Sequence, residues 1–251
     1  MSIWKLLSLA ALLLPLAAGA AGPLRVGGFV VAPIIIGSPG APLQGALRDY
    51  LEQEVVARGV ALEWMPPTSL ARAIESLKNG AIDILLVTSE RYDHLPDVAM
   101  FNWSYLRTQP HLAVRRDAPL QGVQSLQQLA GMEIGWVGGT TVPAPLQGVP
   151  IQWKFLTVPD WQAMNMRKLK AGRIQAVFFE NEYSPRYFAA SEHIDIKLLK
   201  LPMPERQFTM AYSAKADAAA IARFNKAAGN AFAGEQFKSY LEQYMRRLGP
   251  H

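Results

Sequence analysis

The sequence predicts an α/β fold made of two similar units in tandem. Two stretches carry that prediction: residues 24–87 alternate strand, helix, strand, helix and strand, and residues 125–179 repeat the alternation. Such alternation spells a parallel sheet with helices packed on it. A third observation agrees. The 251 residues are 50% hydrophobic and 18% charged, which suffices for one large domain or two lobes of about 100 residues each.

The first strand is Leu24–Val31, an apolar run entering a glycine turn. Pro33–Pro42 is a loop punctuated by Pro and Gly. Leu43–Arg58 carries Leu47, Leu51 and Val55 at helical spacing. Val60–Met65 is the second strand, closed by Pro66 and Pro67. Thr68 is placed to cap a helix over Ser69–Asn79, with Leu70, Ile74 and Leu77 inward and Gly80 as its stop. Ile82–Val87 is the third strand. In the second unit Ser125–Leu129 is a short helix and Glu133–Val137 a strand feeding Gly138-Gly139-Thr140-Thr141. Asp160–Ala171 is a helix ended by Gly172, and Ile174–Phe179 a strand ended by Glu180. The stretch Asp217–Arg247 is helical, with Ile221, Phe224, Phe232, Phe237, Leu241 and Met245 as its apolar positions.

Composition excludes several classes. Apolar content is too high and charge too low for disorder, and the 19 Gly and 18 Pro show no period. The chain has no cysteine. Disulfides, thiolate nucleophiles, iron–sulfur clusters and Cys-based zinc sites are therefore out. The formal charge of +5 forms no basic stripe interleaved with aromatics. The surface reads as basic but ordinary, with no nucleic-acid partner.

Met1–Ala21 has the layout of a cleavable signal peptide. Lys5 precedes the apolar run Leu6–Leu16, and small residues follow to Ala21. The run is shorter than the roughly 20 residues a spanning helix needs. Export to a bacterial periplasm is expected, with a mature protein starting near Gly22.

Ligands of parallel α/β sheets sit at the carboxyl ends of the strands. Those positions hold Thr88-Ser89-Glu90-Arg91, Gly138-Gly139-Thr140-Thr141 and Glu180-Asn181. A guanidinium suits a carboxylate, a glycine turn offers N–H groups, and a lone acid can receive an ammonium. Together they make a receptor for a zwitterion.

The ordered set resembles the family 3 periplasmic solute-binding proteins, the polar-amino-acid receptors of ABC importers. It runs from Leu24-Arg25-Val26-Gly27 and Leu43-Gln44-Gly45 with Asp49, through Ala73–Asp83 and Thr88–Arg91. It continues with Phe101-Asn102-Trp103-Ser104-Tyr105, Ser125–Gly131, Gly139-Thr140-Thr141 and Lys170–Val177, and spans Leu24 to about Leu248. The resemblance implies a two-lobed periplasmic-binding-protein type II fold. Each lobe would be a mostly parallel sheet flanked by helices, and two hinge strands would join them. Residues 22–107 plus 207–251 would form one lobe and 108–206 the other. It implies a monomer that needs no cofactor or metal, takes an amino acid or related carboxylate, and delivers it to an inner-membrane ABC permease. By position Arg91 would grip the ligand carboxylate, with Gly139, Thr140 and Thr141 completing the grip. Glu180 would face the ammonium, and Phe29 and Thr88 would line the pocket.

This chain departs from the pattern in two places. The first-strand loop, Phe29-Val30-Val31-Ala32-Pro33, has no acid. Leu85, Leu86 and Val87 stand where serines are usual. A more apolar pocket is expected, with Trp64, Trp103 and Tyr183 as further candidate aromatics. A dehydratase-like enzyme and a sensing module not coupled to transport are the alternatives. For the dehydratase, Glu180 is the one obvious general-acid candidate in the cleft. His94, His111 and His193 lack a partnered Asp or Ser at a telling spacing, and no nucleophile elbow or P-loop occurs.

Overall fold

The computed structural model describes residues 22–38, 40–89, 91–92 and 94–248. The expected signal peptide, Met1–Ala21, lies outside the described residues. The first sheet combines β1 (Leu24–Gly27), β2 (Leu62–Trp64), β3 (Ile84–Thr88), β4 (Val98–Met100), β5 (Leu106–Thr108) and the late strand β11 (Arg206–Ser213). Its helices are α1 (Ala46–Glu54), α2 (Leu70–Asn79), α6 (Ala218–Ala231) and α7 (Gln236–Arg247). The second sheet combines β6 (His111–Arg115), β7 (Glu133–Val137), β8 (Gln152–Leu156), β9 (Ala176–Phe179) and β10 (Ile196–Lys200). With it go α3 (Ala144–Gln147), α4 (Trp161–Lys170) and α5 (Tyr183–Ser191).

The expected parallel strands are present, but they make up only one side of each sheet. β2, β1 and β3 run parallel, as do β8, β7 and β9. The other pairings are antiparallel, and the crossings between lobes are the reason. β11 returns from the second lobe and inserts between β3 and β4. β6, which carries the chain into the second lobe, lies between β9 and β10.

The two crossings are held side by side. β5 and β11 pair in antiparallel register, Thr108 opposite Arg206. Just beyond, the Gln109 side-chain amide donates to the carbonyls of Leu201 (3.0 Å) and Met203 (2.7 Å) on the other crossing. One side chain thus fixes the spacing of both connections.

Local chemistry accounts for the elements. Leu70, Ala73 and Leu77 put one stripe of α2 into the core. Gly80, at φ 79°, closes the helix by donating to Leu77 and Ser76 carbonyls. The cap is Ser69 rather than Thr68, one residue later than the pattern suggested. The C-terminal stretch is two helices, not one, broken around Gly234 at φ 69°. The register of β1 on β3 is locked by Asp83, a buried carboxylate. It accepts from the Arg25 backbone N–H (2.8 Å), from Nε (3.0 Å) and from Nη2 (2.8 Å). The largest apolar cluster runs through both lobes, from Leu24 and Phe224 to Trp136 and Phe178.

Gly45 starts α1 at φ 111° and ψ 177°, a region reserved for glycine, and a Cβ there would meet the Ile34 carbonyl oxygen at 2.7 Å. Gly45→Ala is therefore expected to destabilise the protein by about 2 kcal/mol or more. Gly148→Ala, with nothing within 4 Å of the added carbon, should leave the denaturation midpoint in place. Equal midpoints for the two variants would contradict this account.

Candidate functional site

The carboxyl ends of β1, β3, β7 and β9 point at one another across the space between the sheets, and a cavity of about 40 Å³ lies there. The first lobe contributes Phe29, Val31, Leu70, Val87, Thr88 and Ser89, with Tyr92 beside them. The second contributes Trp136, Val137 and Thr140 from β7 and its glycine turn, and Phe179, Glu180 and Asn181 from the end of β9. Trp161 and Gln162 come from the first turn of α4, and Phe208 from the returning strand β11. A cavity this size has room for roughly three waters. Small-molecule pockets usually begin near 300 Å³. The space between the lobes as they stand is therefore smaller than such pockets.

Glu180 anchors the polar part of the site. Its Oε1 accepts from Arg206 Nε at 2.9 Å, and Arg206 Nη2 also lies 2.9 Å away. Its Oε2 accepts from Ser89 Oγ at 2.7 Å. Its backbone carbonyl accepts from Thr108 Oγ1 at 2.6 Å. One residue at the end of β9 is therefore tied to the first lobe, to the returning crossing and to the outgoing one. The ion pair is only 23% and 18% exposed, which shields it from water more than a surface pair.

The lining amides are oriented by backbone donors. Gln162 is buried, and its Oε1 accepts from the Ala32 backbone N–H across the cleft at 3.0 Å. Asn181 is buried too. Its Oδ1 accepts from the Tyr183 (2.9 Å) and Ser184 (2.7 Å) N–H groups and so caps α5. An oxygen that accepts from a backbone N–H fixes which way its amide is turned. α2 and α4 both start at the cavity, at Leu70 and Trp161, with no side-chain bond at either cap. The Trp161 indole N–H is buried and meets no acceptor.

The structure brings Phe29, Thr88, Thr140 and Glu180 together at the cavity. Gly139, at φ 87°, packs on the start of α2, where a Cβ would lie 3.5 Å from Ala71 Cβ. Thr141 and Arg91 are exposed and are not among the lining residues. Glu180 is met by the guanidinium of Arg206, a residue the sequence did not single out. Of Leu85, Leu86 and Val87, only Val87 lines the cavity, while the leucines are buried. Trp64 bonds to Glu52, and Trp103 donates to Asn225 at 2.7 Å. Burial pushes the Tyr183 phenol up. None of these three aromatics lines the cavity.

Sequence reasoning missed Trp136, Trp161, Gln162, Arg206 and Phe208. Trp136 precedes the last residue of its strand, and Trp161 and Gln162 open a helix. Strand-end topology points to the residues just past each strand, which is two positions beyond Trp136 and on a different element from the other two. Arg206 begins β11, a strand with no signal among the elements read from the sequence. Among the described residues no group of three or more His, Asp or Glu could hold a metal ion.

His111 is the histidine nearest this region, pairing opposite Phe179. Burial lowers its basicity, although its Nδ1 lies 2.8 Å from the Gln109 carbonyl oxygen. A base depressed in the folded state favours folding above its ordinary pKa of about 6.5. That contribution is lost as pH falls through the lower folded value. His111→Gln should flatten this part of the stability–pH curve, and an unchanged slope would count against the assignment. Arg206→Met removes the guanidinium contacts of Glu180 Oε1, at an expected loss of about 1.5–3 kcal/mol by urea denaturation. The Glu180→Gln/Arg206→Met double variant should lose less than the sum of the single losses.

No family model matches the chain, and no curated protein matches it. Solved structures do. The substrate-binding protein of an amino acid ABC transporter superposes with a TM-score of 0.71 at 15% identity, covering 90% of this chain and 100% of its own. The GluR0 ligand-binding core in complex with L-glutamate gives 0.71 at 17%, with coverage of 90% and 100%. An ancestral arginine-binding protein bound to glutamine gives 0.69 at 20%, with coverage of 89% and 97%. The likeness shows the fold: two α/β lobes around a cleft, as in the periplasmic-binding-protein type.

Proposed function

We propose that the protein is a solute-binding protein of the family 3 type. It captures a small solute, an amino acid or related carboxylate, between two closing lobes. One observation carries the reading: the cavity is walled by strand ends from both lobes, and the Ser89–Glu180 and Ala32–Gln162 bonds join those lobes across it. Hinge closure of this kind removes a ligand from water. The lobe boundaries proposed are 22–107 plus 207–251 and 108–206, with Gln109 and the β5–β11 pair marking the hinge.

The site reads as a binder rather than an enzyme. The one carboxyl side chain among the described lining residues is Glu180, and it is held in an ion pair rather than poised as a general acid. Amino acid-binding neighbours support the same reading. Phe29, Thr88, Thr140 and Glu180 are the proposed ligand-binding residues that line the cavity. Arg91, Gly139 and Thr141 are proposed from their positions beside it. With Met1–Ala21 as a signal peptide, the protein would act in the periplasm as a monomer that delivers its solute to an inner-membrane ABC permease.

A thermal-shift screen of the mature protein against amino acids and small carboxylates tests this. A native-state ligand raises the melting temperature by mass action. One such solute is expected to shift it, with Thr140→Val weakening its binding. A flat panel, or turnover of the bound compound, would overturn the reading. Arg91→Ala and Arg206→Met, titrated with the same solute, separate the two arginines. If Arg91 grips the carboxylate, its loss abolishes binding; unchanged affinity removes it from the site.

A further inference from the structure

The carboxylate and amide oxygens that line the cavity are already engaged, whereas several donors are not. Glu180 accepts at both carboxylate oxygens, from Arg206 and from Ser89, and its charge is balanced by the guanidinium. Gln162 Oε1 is taken by the Ala32 N–H. Asn181 Oδ1 is taken by two N–H groups of α5. Because their oxygens are fixed in this way, both amides must present their NH₂ ends elsewhere, and among the described residues no acceptor meets Gln162 Nε2 or Asn181 Nδ2. The buried Trp161 indole N–H is a third donor without an acceptor. All three residues line the one cavity.

The electrostatics point the same way. α2 and α4 both open at this cavity, and neither start is capped by a side chain. Each brings partial positive charge. The rest of the wall is apolar, with Phe29, Val87, Trp136, Phe179 and Phe208. An ammonium group is best held by carboxylate or amide oxygens, and those present are committed to holding the lobes and α5 in place. A carboxylate or a keto oxygen needs donors, and those are on offer.

Building on the solute-binding reading above, we propose that the solute is a carboxylate without an ammonium group. A 2-oxo acid with an apolar side chain fits, held by the Gln162 and Asn181 amides and the Trp161 indole. In this arrangement Glu180 serves as the joint between the lobes and not as a receptor for an amine.

Isothermal titration of the mature protein with matched pairs tests the proposal: pyruvate against alanine, 3-methyl-2-oxobutanoate against valine, and phenylpyruvate against phenylalanine. In at least one pair the oxo acid is expected to bind ten times or more tighter than its amino acid. Equal or tighter binding of the amino acid would overturn the absence of an ammonium while leaving solute capture intact. Binding of neither member of any pair overturns the proposal, and if the wider panel is flat as well, solute capture falls with it. Gln162→Glu and Asn181→Asp keep the oxygen that accepts from the backbone and turn the NH₂ donor into an acceptor. Each should cut oxo-acid affinity at least tenfold in protein shown by circular dichroism to be folded at the titration temperature, whatever the buried charge costs in melting temperature. Wild-type affinity in both variants would remove the amides from the site.

Discussion

The Glu180 carboxylate sits where both lobes and the hinge meet, and a charge in so sheltered a place is tolerated only when it is fully satisfied. Arg206 supplies the countercharge, Ser89 the remaining hydrogen bond, and Thr108 a bond to the backbone carbonyl. Three separate segments of chain must therefore arrive at one point: the end of β3, the outgoing crossing and the returning strand. The position of the cleft follows from that requirement. So does its polarity, since an acid fully engaged in this way contributes little net charge to the space beside it.

Much of the fold was legible because it is written in local periodicity. The α2 stripe and its Gly80 stop, the Glu133–Val137 strand and the paired strand–helix order all follow from side-chain spacing and backbone preference. What was not legible depends on distant partners. β6, β10 and β11 are short or alternate weakly, and they become strands because neighbours far along the chain supply their hydrogen bonds. The break at Gly234 was visible in principle, since glycine at a left-handed φ is the usual stop between helices. The apolar stripe that continues from Phe224 to Phe237 concealed it, because both helices press the same face onto the core.

The site was legible in part for the same reason. Thr88, Thr140 and Glu180 lie at strand ends, where sheet topology alone places ligands, and they do reach the cavity. Their partners were not readable. Arg206 meets Glu180 from the start of a strand whose partners lie about a hundred residues earlier in the chain. The roles of Gln162 and Asn181 depend on which amide atom a backbone N–H captures, and no spacing rule reports that.

The two bonds that cross the cleft, from Ser89 to Glu180 and from Ala32 to Gln162, also set a population. Each contributes about 1 kcal/mol net. Together they would shift the balance toward the shut form by a factor of about thirty relative to lobes without them. A solute able to enter only the parted form would have its apparent dissociation constant weakened by up to that same factor. On the solute-binding reading, selectivity would thus be partly a matter of occupancy. A ligand must outbid the protein's own closing contacts before it is held at all, and compounds that touch only one lobe gain nothing from the closure that follows.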